Sequence, residues 1–210
     1  SFAIIFDIGA HKGESIELFL KNFRVGRIYS FEPSKETFKI LTKNSVNLKK
    51  KFKNYDIQLE NFAIGNEEKN IELNFLNETS SSTLKNLNIN SSYFKKKEKY
   101  FGNLINKKVM VKQLNFKNYL EIKRIKKIDL LKIDTEGYEF EVLEGLGNAI
   151  AKVSIILFEH HYDNMIIKNY KFKDIHNLLK NNGFRRVFKI KMPFRKSFEY
   201  IYTKKLSKNI

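Results

Sequence analysis

The 210-residue chain has no cysteine. That removes disulfides, thiolate metal sites and cysteine nucleophiles together, and it is the usage expected in a reducing compartment, the cytoplasm by default. An apolar run of about 18 residues is also missing, so no membrane span is expected. No basic-then-apolar leader is visible at the start, and Ser1 runs straight into an apolar segment, which leaves room for a native N-terminal segment ahead of it. Arginine is scarce, occurring only at positions 24, 27, 124, 185, 186 and 195. The 40 basic residues against 23 acidic ones give a net charge of +17, which raises the question of nucleic acid or an anionic membrane surface. Because the surplus is nearly all lysine, spread along the whole chain, it reads as a solvated compositional excess. No nucleic-acid recognition motif and no basic stripe interleaved with stacking aromatics accompanies it, so nucleic acid is not an expected partner.

What is present is 42% apolar residues, enough for one sizeable core and hence a single domain over residues 1–210. Short apolar runs at Phe2–Ile8, Ile28–Phe31 and Ile57–Ala63 alternate with helical patterns at Ser15–Leu20 and Lys35–Leu48, the latter with Phe38, Ile40, Leu41 and Val46 as inward candidates. This is the βαβ rhythm of an α/β fold with a mostly parallel sheet. From Gly65 to Val111 the pattern is less regular. Ile71–Phe75 and Val109–Val111 read as short strands, Asn77–Thr83 as a loop, and Tyr93–Tyr100 as a charged mobile helix or lid. Regularity returns with a buried strand at Ile128–Ile133, a helix at Phe140–Leu146 closed by Gly145 and Gly147, and a strand at Val153–Glu159. A helix at Asp174–Asn182 and a terminal hairpin of Phe184–Ile190 with Phe198–Tyr202 complete the chain.

The chemistry-bearing residues cluster where these strands end. Phe6-Asp7-Ile8-Gly9-Ala10-His11-Lys12-Gly13 lies at the first strand-to-helix junction, where the chain must turn sharply and its backbone must approach a ligand. It lacks the middle glycine of the dinucleotide pattern, which counts against a tightly held pyrophosphate. Phe31-Glu32-Pro33 ends the second strand, 25 residues after Asp7, where an acidic side chain can accept from both ribose hydroxyls of an adenosine-containing ligand such as NAD or S-adenosylmethionine. Asn61-Phe62-Ala63-Ile64-Gly65 ends the third, with Asn61 either at an adenine edge or a turn former. In Leu130-Leu131-Lys132-Ile133-Asp134-Thr135-Glu136-Gly137-Tyr138-Glu139 a buried strand delivers Asp134 and Glu136 to the carboxyl edge of the sheet; the plainer alternative makes Asp134 or Thr135 the N-cap of the next helix. Phe158-Glu159-His160-His161 ends a further strand, and of two neighbouring histidines only one can face the site.

Taken in series, the first four motifs resemble the FkbM-type family of class I, S-adenosylmethionine-dependent methyltransferases over roughly Phe6 to Leu146. The resemblance implies a Rossmann-like, doubly wound, mostly parallel seven-stranded sheet with an antiparallel C-terminal strand, and S-adenosylmethionine as cofactor. By position it makes Asp7, Gly9 and Gly13 the loop around the methionine part, Glu32 the ribose acceptor, Asn61 and Ala63 neighbours of the adenine, and Asp134 with Glu136 neighbours of the methyl donor. The expected reaction is O-methylation of a hydroxyl on a sugar, glycan or small metabolite, with His160 as leading candidate for the base, Asp134 orienting it or the acceptor, and Glu136 shaping the pocket. A divalent ion on Asp134 would lower the hydroxyl pKa, but one acidic run gives no clear ligand set, so no metal site is assigned. The alternatives are an NAD-dependent oxidoreductase, which should carry a fuller glycine fingerprint, and a basic nucleic-acid-binding module.

Overall fold

The computed structural model describes residues 1–53, 55–76, 82–102, 105–193 and 196–204. In chain order its elements are β1 (Phe2–Ile8), α1 (Glu14–Asn22), β2 (Val25–Phe31), α2 (Lys35–Lys51), β3 (Asp56–Glu60), β4 (Ala63–Gly65), β5 (Lys69–Leu76), β6 (Ser82–Thr83), α3 (Ser92–Phe101), β7 (Ile105–Asn115), α4 (Phe116–Ile122), β8 (Ile128–Ile133), α5 (Glu139–Leu146), a 3-10 turn (Gly147–Lys152), β9 (Val153–His161), α6 (Phe172–Asn181), β10 (Phe184–Lys191) and β11 (Ser197–Lys204). Seven strands form one sheet in the order β3-β2-β1-β8-β9-β11-β10. All run parallel except β11, which is antiparallel to both β9 and β10. The α/β class, the parallel core and the antiparallel terminal strand are those expected from the sequence.

Both faces of this sheet are covered, which is why its central strands carry continuous apolar runs. On one face Ile5, Ile28, Ile57 and Leu130 pack against Ile16 and Phe19 of α1 and Leu41 and Leu48 of α2. On the other, Phe6, Phe31, Leu131 and Phe158 pack against Phe116 of α4, Val142 and Leu146 of α5 and Leu179 of α6. Helix α2 starts at Ser34, whose hydroxyl accepts from the Thr37 amide at 3.1 Å. Its inner stripe is Phe38, Leu41, Ser45 and Leu48, at helical spacing. Ile40 and Val46, expected inside, fall off that stripe and are 43% and 50% exposed.

The run Ile57–Ala63, read as one strand, is two. β3 pairs with β2, while β4 pairs with β7 in a second sheet of order β4-β7-β5-β6. The break falls where the Asn61 side-chain amide turns back to donate to the carbonyls of Glu32 and Pro33 at 2.9 and 3.2 Å. The second sheet accounts for the irregular middle of the sequence, with β5 and β7 as its long antiparallel pair. Of the expected loop Asn77–Thr83, residues 77–81 lie outside the described residues and Ser82–Thr83 form β6. The charged segment Tyr93–Tyr100 lies within helix α3, which is anchored by Phe94, buried with Leu76, Met165 and Ile166, so it is a docked element. Gly145 belongs inside α5 and not to its end: a Cβ there would lie 2.0 Å from the Gly65 carbonyl oxygen, so glycine lets β4 touch the helix. Among the described residues no helix is long and apolar enough to cross a membrane.

Candidate functional site

Hydrogen bonds lace the carboxyl ends of three adjacent parallel strands together. The amides of Gly9 and Ala10 both donate to the Phe31 carbonyl at 3.0 Å, and the Asp134 amide donates to the Ile8 carbonyl at 2.9 Å. Gly9 has φ 83, and a Cβ on it would lie 1.9 Å from the Asp134 carbonyl oxygen, so any side chain would both strain the turn and push β8 away. Beside this turn opens a cavity of about 420 Å³. Its apolar wall is Phe31, Phe62, Ile64, Leu73 and Leu84, and the connection after β10 closes one side with Met192 and Pro193. Six carboxylates line it, from Glu14, Glu32, Asp134, Glu136, Glu159 and Glu199, with Lys132 the lysine among the lining residues. In a chain of net charge +17, this cavity is acidic.

Glu32 is buried, and its two oxygens accept from the amides of His11 and Ser34 at 3.1 and 2.8 Å. Burial pushes its carboxyl up to about 7, against the pull of those two donors. Asp7 is wholly buried and accepts from the Ser15 hydroxyl at 2.7 Å and from the Lys132 ammonium at 3.1 Å. Lys132 also lies 3.4 Å from Asp134. Burial opposes the Lys132 charge, but Asp7 and Asp134 outweigh it and hold the ammonium above its ordinary range. On the far side, His161 Nε2 makes ion-pair contacts at 3.0 Å with Glu136 and 3.7 Å with Glu159, and its Nδ1 lies 3.6 Å from Asp163. Burial works against its charge too, yet the surrounding carboxylates of Asp163, Glu136 and Glu159 push it up to about 10. Burial raises both Glu159 and Glu199, with Asp134 adding to each.

The loop from Asp134 to Glu139 is shaped from below. Glu139, fully buried, accepts from Thr135 Oγ1 at 3.1 Å, the Gly137 amide at 2.8 Å and the Tyr170 hydroxyl at 2.7 Å. Thr83 Oγ1, on β6, donates to the Glu136 carbonyl at 2.6 Å. These bonds hold Glu136 at φ 49 with its carboxylate toward the cavity. The N-cap of α5 is Tyr138, without a side-chain cap bond, so neither Asp134 nor Thr135 caps the helix and both remain at the cavity wall.

The family model for the methyltransferase FkbM domain matches residues 7–186. The chain belongs to the FkbM methyltransferase family. That match is to a methyltransferase family and not to an oxidoreductase one. A solved FkbM methyltransferase from Methylobacillus flagellatus KT superposes with a TM-score of 0.62 at 15% identity, over 96% of this chain and 44% of that one. TrmK of M. capricolum, solved with the cofactor product S-adenosyl-homocysteine, gives a TM-score of 0.54 at 13% identity over 96% of this chain and 62% of its own. Magnesium protoporphyrin IX methyltransferase from Synechocystis PCC 6803, solved with bound S-adenosylmethionine, gives 0.53 at 10% identity over 97% and 70%. At such identities the likeness is one of fold, and the chain spans less than two thirds of the first two structures' lengths. No curated protein matches the chain by sequence.

Within this FkbM-family fold, the residues singled out from sequence divide into two groups. Gly9, Glu32, Ala63, Asp134 and Glu136 line the one cavity. Asp7, Gly13 and Asn61 stand behind it: Asp7 neutralises Lys132, Gly13 turns the chain into α1 at φ 97, and Asn61 fixes the strand-end backbone. His160 is not brought to the cavity. Alternation along β9 turns it to the opposite face from Glu159, among the rings of Tyr162, Tyr170 and Phe172 at 4.8, 5.9 and 5.6 Å. Burial there pulls it down to about 3, with Lys168 and His161 adding. Sequence reasoning gave no role to Lys132 or Glu199, and within the Glu159-His160-His161 group it favoured His160, where the structure turns Glu159 and His161 to the site. Lys132 had a signal, a charge inside an otherwise apolar buried strand. Glu199 had none, since only the β9–β11 register, which sets it opposite Glu159, brings it near. Among the described residues no group of three or more His, Cys, Asp or Glu has the arrangement of a metal site, so a divalent ion on Asp134 gains no support.

Proposed function

We propose that this chain uses S-adenosylmethionine as methyl donor and methylates a hydroxyl on a saccharide or small metabolite. The observation that carries the donor assignment is an acidic, apolar-walled cavity at the carboxyl ends of β1, β2 and β8 in a strongly basic chain. A sulfonium is a fixed cation, and carboxylates at a partly desolvated wall favour it over a neutral ligand of the same shape. The residues present fit the whole group. Glu32 keeps lone pairs free beyond the two it gives to backbone amides, enough to accept from ribose hydroxyls. Phe62 and Ile64 offer apolar faces on either side of Ala63 in sequence for the adenine, and Gly9, with no side chain, lets the β1 turn lie directly against Asp134 at the cavity rim. The donor or its product in two neighbours of the same fold adds weight to this reading.

When bound, S-adenosylmethionine supplies an activated methyl group on sulfur. The chain's own work is to align the acceptor and to take its proton. Glu159 suits proton removal, because it lines the cavity beside Asp134 and Glu136 and burial raises its carboxyl above the ordinary range. Asp134 and Glu136 suit alignment, with the His161 cation holding Glu136 and Glu159 in place. His160, packed among aromatic rings and shifted far below neutrality, does not suit the role of base.

The test is calorimetric titration with S-adenosylmethionine and S-adenosylhomocysteine, followed by turnover of labelled donor on a panel of saccharides. Saturable donor binding that Glu32→Ala weakens at least about tenfold, with Glu159→Gln cutting turnover by about 10²–10⁴ at unchanged donor affinity, is the expected result. A folded chain that binds neither compound would overturn the donor assignment, and full activity of Glu159→Gln would overturn the base.

A further inference from the structure

The outer edge of the large sheet is basic and carries no acidic residue on its outermost strand. From residue 175 to residue 198 the sequence has no aspartate or glutamate. β10, within this stretch, is the edge strand and pairs only with β11. After Phe184 every residue of β10 is exposed. Arg185, Arg186, Lys189 and Lys191 are its cations, and two of the chain's six arginines stand here side by side. Among the described residues none of the four is ion-paired to a carboxylate. Lys189 and Arg186 instead lie against rings, 4.2 Å from the Phe198 centroid and 6.0 Å from that of Tyr200. On the same strand Val187, Phe188 and Ile190 are 49%, 47% and 47% exposed.

Each half of this pattern alone suits a different partner. Cations without apolar groups suit nucleic acid, and apolar groups without charge suit a protein surface. Pairing with a second copy of the same edge would set four cations against four, which like-charge repulsion opposes. An anionic bilayer surface meets both demands, because apolar side chains enter the headgroup boundary while arginine and lysine meet lipid phosphates and carboxylates. We infer that the β10 edge docks this protein on an anionic membrane surface. The chain leaves β10 directly into Met192 and Pro193, which line the cavity, so docking brings the cavity mouth close to the lipid headgroups and favours an acceptor held at that surface. The inference does not depend on which methyl donor is used.

The experiment is co-sedimentation of the full chain with vesicles of phosphatidylcholine alone and of phosphatidylcholine mixed with phosphatidylserine, at about physiological ionic strength. Binding to the mixed vesicles only is expected. R185Q/R186Q/K189Q/K191Q should lower it by about tenfold or more, and V187S/F188S/I190S, with every charge retained, should also lower it. Circular dichroism melts establish that each variant is folded. Equal sedimentation with both vesicle types, which needs no variant, would overturn the inference, as would wild-type binding by the quadruple variant. An unchanged triple variant whose binding heparin fully competes would reassign the edge to soluble polyanions and overturn it as well.

Discussion

The two sides of the cavity are built by different means. On the β1–β2 side, backbone amides do the positioning: Gly9 and Ala10 converge on one carbonyl, and Glu32 is held by two amides close to it in the fold. On the β8–β9–β11 side, charges do it: Lys132 between Asp7 and Asp134, and His161 among Glu136, Glu159 and Asp163. A backbone-built side tolerates change in most side chains but not at its glycine. A charge-built side tolerates change in its backbone but not the loss of one partner from a buried pair.

The largest effect should come from Lys132→Met, which leaves Asp7 charged and wholly buried. A loss of about 3–5 kcal/mol is expected in urea unfolding, largely recovered when Asp7→Asn is added. Next is pH. His161, ordinarily 6.5 and here about 10, keeps in the folded chain a proton that the unfolded chain has lost. Its stabilisation is complete below pH 6.5 and disappears as pH rises through 10, each pH unit of that span being worth about 1.4 kcal/mol. Glu32, raised from 4.5 to about 7, likewise stabilises fully below 4.5 and loses that contribution as pH rises through 7. The two sides therefore titrate in neighbouring windows. Melting temperature followed against pH should lose its decline between about 6.5 and 10 in His161→Gln, and its decline between about 4.5 and 7 in Glu32→Gln. If both variants change the same limb, the division between the sides fails.

Gly9→Ala should cost about 1–3 kcal/mol from its positive φ, before any cost of displacing Asp134, and should abolish donor binding in the same titration. Ser34→Ala, which removes only the cap of α2, should cost about 1 kcal/mol in a thermal melt and leave donor binding near wild type.

The contrast also explains what could be read from the sequence. The β1–β2 side is made of short contiguous motifs, so Gly9 and Glu32 stood out from their neighbours and spacing alone. Asp134 and Glu136 were legible because an apolar strand ran straight into them. The partners that hold the charged side are far apart in the chain, Lys132 of β8 with Asp7 of β1 and His161 of β9 with Glu136 after β8, and their meeting depends on strand register, to which local pattern is blind. His160 and His161 illustrate this: one step along a strand separates an aromatic niche from an ion-pair network, and only the placement of β9 between β8 and β11 says which is which. Ile40 and Val46 failed on a finer point, since helical periodicity is clear but its phase needs the position of the sheet. The second sheet was visible as two strands and hidden as a structure, because its β4 was fused in sequence with β3.

The strand order has a consequence for how the chain comes into being. β1 lies between β2 and β8, and Ile5 pairs with Leu130. On a ribosome adding ~5–20 residues per second, roughly 6–25 s separate the emergence of these two partners. Throughout that interval one flank of the central strand has no neighbour, and it carries some of the most apolar surface in the molecule. Gly9 meets Asp134 only when this gap closes, so the ligand crevice is among the last features to exist. A nascent chain stalled before β8 would therefore display a sticky, unsealed sheet and no binding site, making it a natural client for chaperones.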